Sequence, residues 1–221
     1  MRIPEYQPIP SPFTANFFCL LPGFRTAFVT ISKNGGTFLA KLAIYFRTDQ
    51  IIEDKVEIHN TLGYYNPSSR YLIPVSQMPQ YEKENGKMLK FAVWRDPLER
   101  LVSCYKHFIL ERNPHRYFHF LDLYHDTSFD RFMEFVEFEL KKANPDFQDP
   151  HIRKQSDCYR PEDVDFIVPI RKLNRFLTEH KIPLIDDKSN ATDIKFEFDA
   201  IKWEERIKEL YRADYAIHVN Y

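Results

Sequence analysis

Two of the chain's five glycines stand side by side, at Gly35 and Gly36, and no other feature of the 221 residues restricts the fold as strongly. The apolar run 27–31 precedes this pair, and a segment of helical character follows it from Thr37. A strand that turns through 33–36 into a helix directs backbone N–H groups and the Lys33 ammonium to one place, which suits a phosphate-like anion. The sequence therefore predicts an anion-binding loop between a strand and a helix.

The composition requires any such anion site to be local. The formal net charge is −1, so the chain as a whole has no attraction for duplex nucleic acid or an anionic membrane. An apolar content of 43% provides the core of one sizeable domain, and the apolar patch 17–21 is too short for a secretory signal or a membrane span. The cysteines show no metal-site or disulfide spacing and are expected to be reduced thiols: Cys19, Cys104 and Cys158.

Strand and helix signals alternate along the chain, which predicts an α/β fold with a central, mainly parallel sheet flanked by helices. The predicted strands are 26–32, 55–59, 88–94 and 165–168. The predicted helices are 37–46, a segment from 98, 129–140, 171–180 and 203–216. We expect residues 1–25 to be an extension packed on a single domain of residues 26–221.

A second turn between a strand and a helix carries Arg95, directly after the apolar strand 88–94. Asp96 and Pro97 are helix-start signals, and Ser103 follows eight residues after Arg95. A guanidinium makes multidentate contacts with phosphate oxygens, and a serine hydroxyl adds one donor. Two anion sites at neighbouring strand ends suit a ligand with phosphates at both ends. The alternative is a solvated cluster of charged residues at a helix start, which would also include Arg100.

Four segments in order resemble one enzyme family. Residues 28–37, Phe-Val-Thr-Ile-Ser-Lys-Asn-Gly-Gly-Thr, are similar to the 5′-phosphosulfate loop of sulfotransferases that use 3′-phosphoadenosine 5′-phosphosulfate (PAPS). Residues 91–105 resemble the 3′-phosphate motif of the Golgi carbohydrate sulfotransferases and their bacterial relatives. Residues 151–158 are similar to that branch's His-Trp-x-x-Gln segment, and 209–215 to its closing helix. The chain departs from the pattern at Ser32, where proline is usual, and at Ile152, where tryptophan is common.

The resemblance implies a P-loop-like enzyme that transfers a sulfuryl group from PAPS to a carbohydrate hydroxyl without a metal. It implies that Lys33 stabilises the negative charge that develops on the leaving phosphate. Arg95 and Ser103 would bind the 3′-phosphate. The remaining donor contacts would come from the loop and the first turn of its helix, at Asn34, Gly35, Gly36, Thr37 and Phe38.

The resemblance also implies a base that takes the acceptor's proton, and histidine suits this task near neutral pH. His59 is the preferred candidate because it ends a predicted strand, where relatives place a catalytic histidine or glutamate. His151 is the rival, and it is also expected, with Arg153, to bind the acceptor. Aromatic residues that could stack on sugar rings are Tyr64, Tyr65, Tyr71 and Tyr81.

Two other functions stay open on the sequence. A P-loop-like small-molecule kinase would share the anion loop, although Lys33 precedes the glycines and the GxxxxGK[ST] spacing is missing. The other is a non-catalytic module that binds a nucleotide or a glycan. The resemblance favours a cytoplasmic, bacterial enzyme, peripheral to the membrane where glycans are assembled, with a carbohydrate or glycolipid acceptor. We expect no counterpart of the Golgi enzymes' membrane anchor, and we expect the glycosylation sequon at 190–192 to be a chance match.

Overall fold

A computed structural model describes residues 16–63, 69–111, 128–186 and 196–221. Tyr64, Tyr65 and the sequon at 190–192 lie outside these ranges. The described residues fall into two compact units. The sheet unit comprises 16–63, 69–95, 155–186 and 217–221, and the helical unit comprises 96–111, 128–154 and 196–216.

The sheet unit is built on a five-stranded mixed sheet with the strand order β3-β1-β2-β4-β5. Strands β2, β4 and β5 run parallel, whereas β1 is antiparallel to both β2 and β3. The sheet is therefore half parallel, because the predicted extension contributes the antiparallel hairpin strand β1. The strands are β1 (Phe17–Leu21), β2 (Thr26–Val29), β3 (Leu72–Pro74), β4 (Leu89–Trp94) and β5 (Phe166–Pro169).

Both faces of this sheet are buried, which explains why its central strands read as continuous apolar runs. Phe28, Phe91 and Val168 pack into the cluster on one face. Their chain neighbours Ala27 and Ala92 pack into a second cluster on the other face. The alternation of side chains along a strand thus divides the sheet unit's core into two layers.

The described part of the sheet unit contains four α-helices. They are α1 (Gly36–Thr48), α2 (Lys55–Leu62), α3 (Met78–Asn85) and α6 (Leu173–Glu179). Helices α1, α2 and α6 bury apolar side chains in the first cluster, and Met78 of α3 lies in the second.

Helix α2 replaces the strand that the sequence predicted at 55–59, so that prediction is wrong. The side chain of Asp54 accepts a hydrogen bond from the backbone N–H of Glu57 (2.7 Å), which caps a helix start. Ile58 and Leu62, four residues apart, are both buried in the first cluster, whereas Val56 is exposed. The alternating branched residues resembled a strand, but the burial follows a helical period.

The helical unit contains α4 (Pro97–Tyr105), which continues into a π-helical turn (Lys106–Leu110), and α5 (Phe129–Leu140), α7 (Ala200–Leu210) and α8 (Arg212–Tyr215). Asp96 caps α4 by accepting from the N–H of Glu99 (3.1 Å), as its position before Pro97 predicted. Helix α7 is joined to α5 by the ion pair between Arg206 and Glu137 (2.8 Å). The core is largely aromatic, including Phe129, Phe132, Trp203 and Tyr211.

The architecture confirms the predicted α/β class with a sheet flanked by helices. The three cysteines are buried free thiols. Across the described ranges, no helix combines the length and the hydropathy that a membrane crossing requires.

Candidate active site

The loop between β2 and α1, residues 32–36, is named here the Lys33 loop, and it has two residues in the left-handed region. Lys33 has φ 67° and Gly35 has φ 77°. Gly35 is the N-cap of the 13-residue helix α1, and no side chain caps this helix start. The backbone N–H groups of its first turn therefore carry the partial positive charge that attracts an anion.

A Cβ atom at either glycine of this loop would be in van der Waals contact with a neighbouring group. A Cβ atom on Gly36 would lie 3.4 Å from the carbonyl oxygen of Ile31, and one on Gly35 would lie 3.4 Å from Leu173. The left-handed conformation at Gly35 adds about 1–2 kcal/mol of strain for a residue with a side chain. The backbone conformation thus gives a local physical reason for the glycine at Gly35.

Arg95 follows β4 directly and reaches the Lys33 loop. Its Nη1 donates a hydrogen bond to the backbone carbonyl of Lys33 (2.9 Å). Strands β2 and β4 are parallel neighbours, so their carboxyl ends lie at one edge of the sheet, where ligands of open α/β sheets bind. The two turns that the sequence predicted to be neighbours are in contact.

Gln155 joins these same two turns, and the sequence analysis gave it no role. Its side chain is fully buried. The Oε1 atom accepts from Nδ2 of Asn34 (2.5 Å) and from the backbone N–H of Arg95 (3.0 Å), and Nε2 donates to the carbonyl of Arg95 (2.8 Å). Asn34 Nδ2 also donates to the carbonyl of Val93 (2.6 Å). The sequence signal that could have identified Gln155 is its position in the segment 151–158, which resembles the His-Trp-x-x-Gln motif.

His151 belongs to the helical unit and forms a pair with Asp149. Nδ1 of His151 lies 2.9 Å from Oδ1 of the fully buried Asp149. Because a carboxylate only accepts, this contact puts a hydrogen on Nδ1, so the neutral form of the ring has its lone pair on Nε2. The ring also packs edge-on against Phe108 of the π-helical turn (4.8 Å between centroids) and is 25% exposed. Asp149 was not predicted from the sequence, although it lies only two residues from His151.

The segment that carries His151 is held through its backbone carbonyls. Arg100 is fully buried, and its Nη atoms donate to the carbonyls of Arg153 (2.8 Å) and Pro150 (3.1 Å). The hydroxyl of Tyr211 donates to the carbonyl of Ile152 (2.6 Å). Arg100 is thus not part of a solvated helix-start cluster, which was the alternative interpretation of this motif.

The other residues that the sequence predicted for the site lie in the two units described above. Thr37 and Phe38 are half-buried in the first turn of α1, and Ser103 is half-buried on α4 of the helical unit. Arg153 is buried, and its Nη1 lies 3.4 Å from a carboxylate oxygen of Asp146.

His59 lies on α2, not at a strand end, so the structural premise for choosing it is wrong. Partial loss of hydration disfavours the charged imidazole and so lowers the pKa of His59, and the positive charge of Lys55 lowers this pKa further. Of the described tyrosines, Tyr71 is a core residue with the Arg47 guanidinium 4.4 Å from its ring centre. Tyr81 packs against the second core cluster of the sheet unit.

The donor set of the Lys33 loop and Arg95 fits a phosphate-bearing ligand: uncapped helix N–H groups, a lysine and a guanidinium. Among the described residues, no three histidine, cysteine, aspartate or glutamate side chains cluster as metal ligands would.

A protein-family model, described as the sulfotransferase family, matches residues 18–181. The chain belongs to the sulfotransferase family. The matched region runs from β1 past α6, and it includes the Lys33 loop, Arg95, His151 and Gln155. Comparisons with curated proteins and with solved structures gave no match. Sulfuryl transfer is therefore the reaction of this sulfotransferase's family, and a sulfate donor and an acceptor are its two substrates.

Proposed function

We propose that the protein transfers a sulfuryl group from PAPS to a hydroxyl of a carbohydrate. The observation that carries the proposal is the hydrogen bond from Arg95 to the Lys33 carbonyl, because it brings two cationic turns to one edge of the sheet. A ligand that carries phosphates at both ends matches two adjoining anion sites. The sequence resemblance supports PAPS as that ligand.

In this proposal the Lys33 loop holds the 5′-phosphosulfate and Arg95 holds the 3′-phosphate. The N–H groups from Gly35 to Phe38 and the Thr37 hydroxyl surround the 5′ end, whereas the N–H of Asn34 donates to the carbonyl of Ile31 (3.3 Å). Ser103 adds a hydroxyl at the 3′ end. Arg95 is suited to this task because a guanidinium presents its donors in a planar fork that matches the oxygens of a phosphate.

PAPS supplies an activated sulfuryl group whose bond to the 5′-phosphate oxygen breaks as the acceptor oxygen bonds to sulfur. Lys33 stabilises the negative charge that develops on that phosphate oxygen. A fixed ammonium near the breaking bond acts on the transition state more than on the ground state, so it raises the rate of transfer. The helix N-terminus of α1 acts on the same charge.

We propose that His151 takes the proton of the acceptor hydroxyl at Nε2. Asp149 supports this choice because it binds Nδ1 and fixes the ring's tautomer and orientation. Of the two residues predicted to bind the acceptor, His151 has solvent access. Arg153 is buried, so we assign it to supporting the segment that carries His151. His59 becomes the second candidate, since α2 removes the argument from a strand end.

The donor proposal is tested by calorimetry with adenosine 3′,5′-bisphosphate, adenosine 5′-phosphate and ATP. We expect the bisphosphate to bind at least about tenfold more tightly than the monophosphate, since only it engages both sites. Transfer is then measured with PAPS labelled in the sulfuryl group and a panel of saccharides, phenols and steroids. Tightest binding of ATP, or transfer only to phenols or steroids, would contradict the proposal.

The base is tested by three variants under saturating PAPS. His151→Ala should lower kcat at least about 100-fold while the Kd of adenosine 3′,5′-bisphosphate stays unchanged. Asp149→Asn should lower kcat by a smaller factor, again without a change in that Kd, because it acts through His151. His59→Ala should keep turnover. A large loss of kcat in His59→Ala with full activity in His151→Ala would move the role to His59.

A further inference from the structure

Four residues of the sheet unit form a closed ring of hydrogen bonds beyond the carboxyl ends of β2 and β4. Asn34 donates to Gln155, Gln155 exchanges two hydrogen bonds with the backbone of Arg95, and Arg95 donates to the carbonyl of Lys33, the neighbour of Asn34. The distances are 2.5 to 3.0 Å. Such a ring restrains the Lys33 loop and the turn at Arg95 in their positions relative to each other.

Gln155 is the member of this ring that touches both turns without being an anion ligand itself. Its amide pairs with the N–H and the C=O of Arg95 as a neighbouring strand would, just beyond Trp94, where β4 ends. The same Oε1 accepts from Asn34. Because Gln155 is fully buried, water cannot replace these bonds without a rearrangement of the loops.

We propose that Gln155 is a positioning residue that couples the Lys33 loop to Arg95, so that the two ends of one donor molecule bind cooperatively. This inference rests on the proposed function. A ligand with two anchoring groups gains affinity only while its two sites are held at the matching separation. Loss of Gln155 therefore weakens binding of the doubly anchored ligand more than binding of a ligand that engages one site.

The experiment compares Gln155→Leu with the wild-type chain by calorimetry, using adenosine 3′,5′-bisphosphate and adenosine 5′-phosphate as probes. We expect the Kd of the bisphosphate to rise at least about tenfold and that of the monophosphate to rise less than about threefold. A purely structural role would lower the melting temperature and change both affinities by the same factor. Equal changes, or no change, would overturn the proposal.

Asn220→Ala is the matched control. Asn220 pairs its amide with the N–H of Ile167 (2.7 Å) and the C=O of Asp165 (3.2 Å), so it makes the same type of two-point contact with β5 of the same sheet. We expect this variant to lower the melting temperature and to leave the affinity ratio of the two probes unchanged. A ratio that falls as much as in Gln155→Leu would also overturn the proposal.

Asn34→Ala tests the same ring if Gln155→Leu does not fold. It removes the bonds to Gln155 and Val93 and keeps the backbone N–H of residue 34. We expect Asn34→Ala to weaken binding of the bisphosphate more than binding of the monophosphate. In the variant that carries both substitutions, the loss of binding free energy should be smaller than the sum of the two single losses. Unselective or additive losses contradict the coupling. If the wild-type chain binds neither probe, the proposed function itself fails.

Discussion

Lys33 combines the ammonium that we propose to act in sulfuryl transfer with an uncommon backbone conformation. Its φ of 67° lies in the left-handed region, which lysine adopts less readily than asparagine or glycine. Its carbonyl is bound by the guanidinium of Arg95. The chain thus has a lysine where the backbone alone would favour another residue.

Lys33→Asn separates these two properties, because asparagine tolerates the left-handed region but carries no charge. We expect kcat to fall at least about 100-fold without a loss of melting temperature, since the leaving phosphate loses its cation. Sulfuryl transfer and thermal unfolding are the measurements. Lys181→Asn is the control, because Lys181 has φ 58° and lies just after α6. Unchanged kcat in Lys33→Asn would remove the catalytic role of this residue.

Asp149 and Arg100 show how far single residues can be interpreted without tertiary structure. Asp149 precedes His151 by only two residues, but only the folded segment brings its carboxylate to Nδ1. Arg100 lies in a charged helix-start motif that reads as solvent-exposed, and yet it is fully buried against carbonyls. A charged side chain's surroundings are set by distant segments, so the sequence near it does not determine its burial.

At the scale of elements, the order of β2, the Lys33 loop and α1 was predicted correctly. A buried apolar strand, paired glycines and a helical pattern are all local signals, and the structure has them in that order. Helix α2 was not predicted because its start signal, Asp54 with Glu57, competed with an alternating pattern of branched residues. The strand β1 was not predicted because five apolar residues do not reveal their pairing partner.

Gly35→Ala tests the helix start of α1 as an element. We expect weaker binding of adenosine 3′,5′-bisphosphate and a lower melting temperature, because alanine costs about 1–2 kcal/mol in the left-handed region and the loop would shift to relieve it. Gly23→Ala is the matched control. Gly23 has φ 87° in the turn between β1 and β2, and no atom lies within 4 Å of a Cβ built there. This control should lose stability but keep affinity. Equal affinities for Gly35→Ala and the wild-type chain would contradict an anion site at this helix start.

For the whole molecule, carboxylates with lowered pKa values set the response to acid. The hydrogen bond from Arg206 lowers the pKa of Glu137, and those from Lys202 and Trp203 lower the pKa of Asp130. A carboxylate whose pKa is lower in the folded chain stabilises it above the ordinary pKa of about 4 and loses that contribution as the pH falls. The stability of the chain should therefore decrease between about pH 5 and pH 3.

Urea unfolding at a series of pH values measures this dependence. We expect Glu137→Gln to be less stable than the wild-type chain at pH 7 and to lose less stability on acidification, since it has no carboxylate to protonate at this site. Glu134→Gln on the same helix is the control, because Glu134 is largely exposed and lies 3.4 Å from Arg131. An unchanged pH profile for Glu137→Gln would show that this ion pair does not contribute to acid sensitivity.

The sequence by itself determined the α/β class, the Lys33 loop and the Arg95 turn, because each depends on residues that are close together in the chain. Tertiary structure alone decided that β1 pairs antiparallel with β2, that Gln155 joins the Lys33 loop to Arg95, and that Asp149 holds His151. Strand pairing and buried hydrogen bonds join groups whose partners no local pattern specifies. The two turns could therefore be located from the sequence, whereas the contacts that align them required the folded chain.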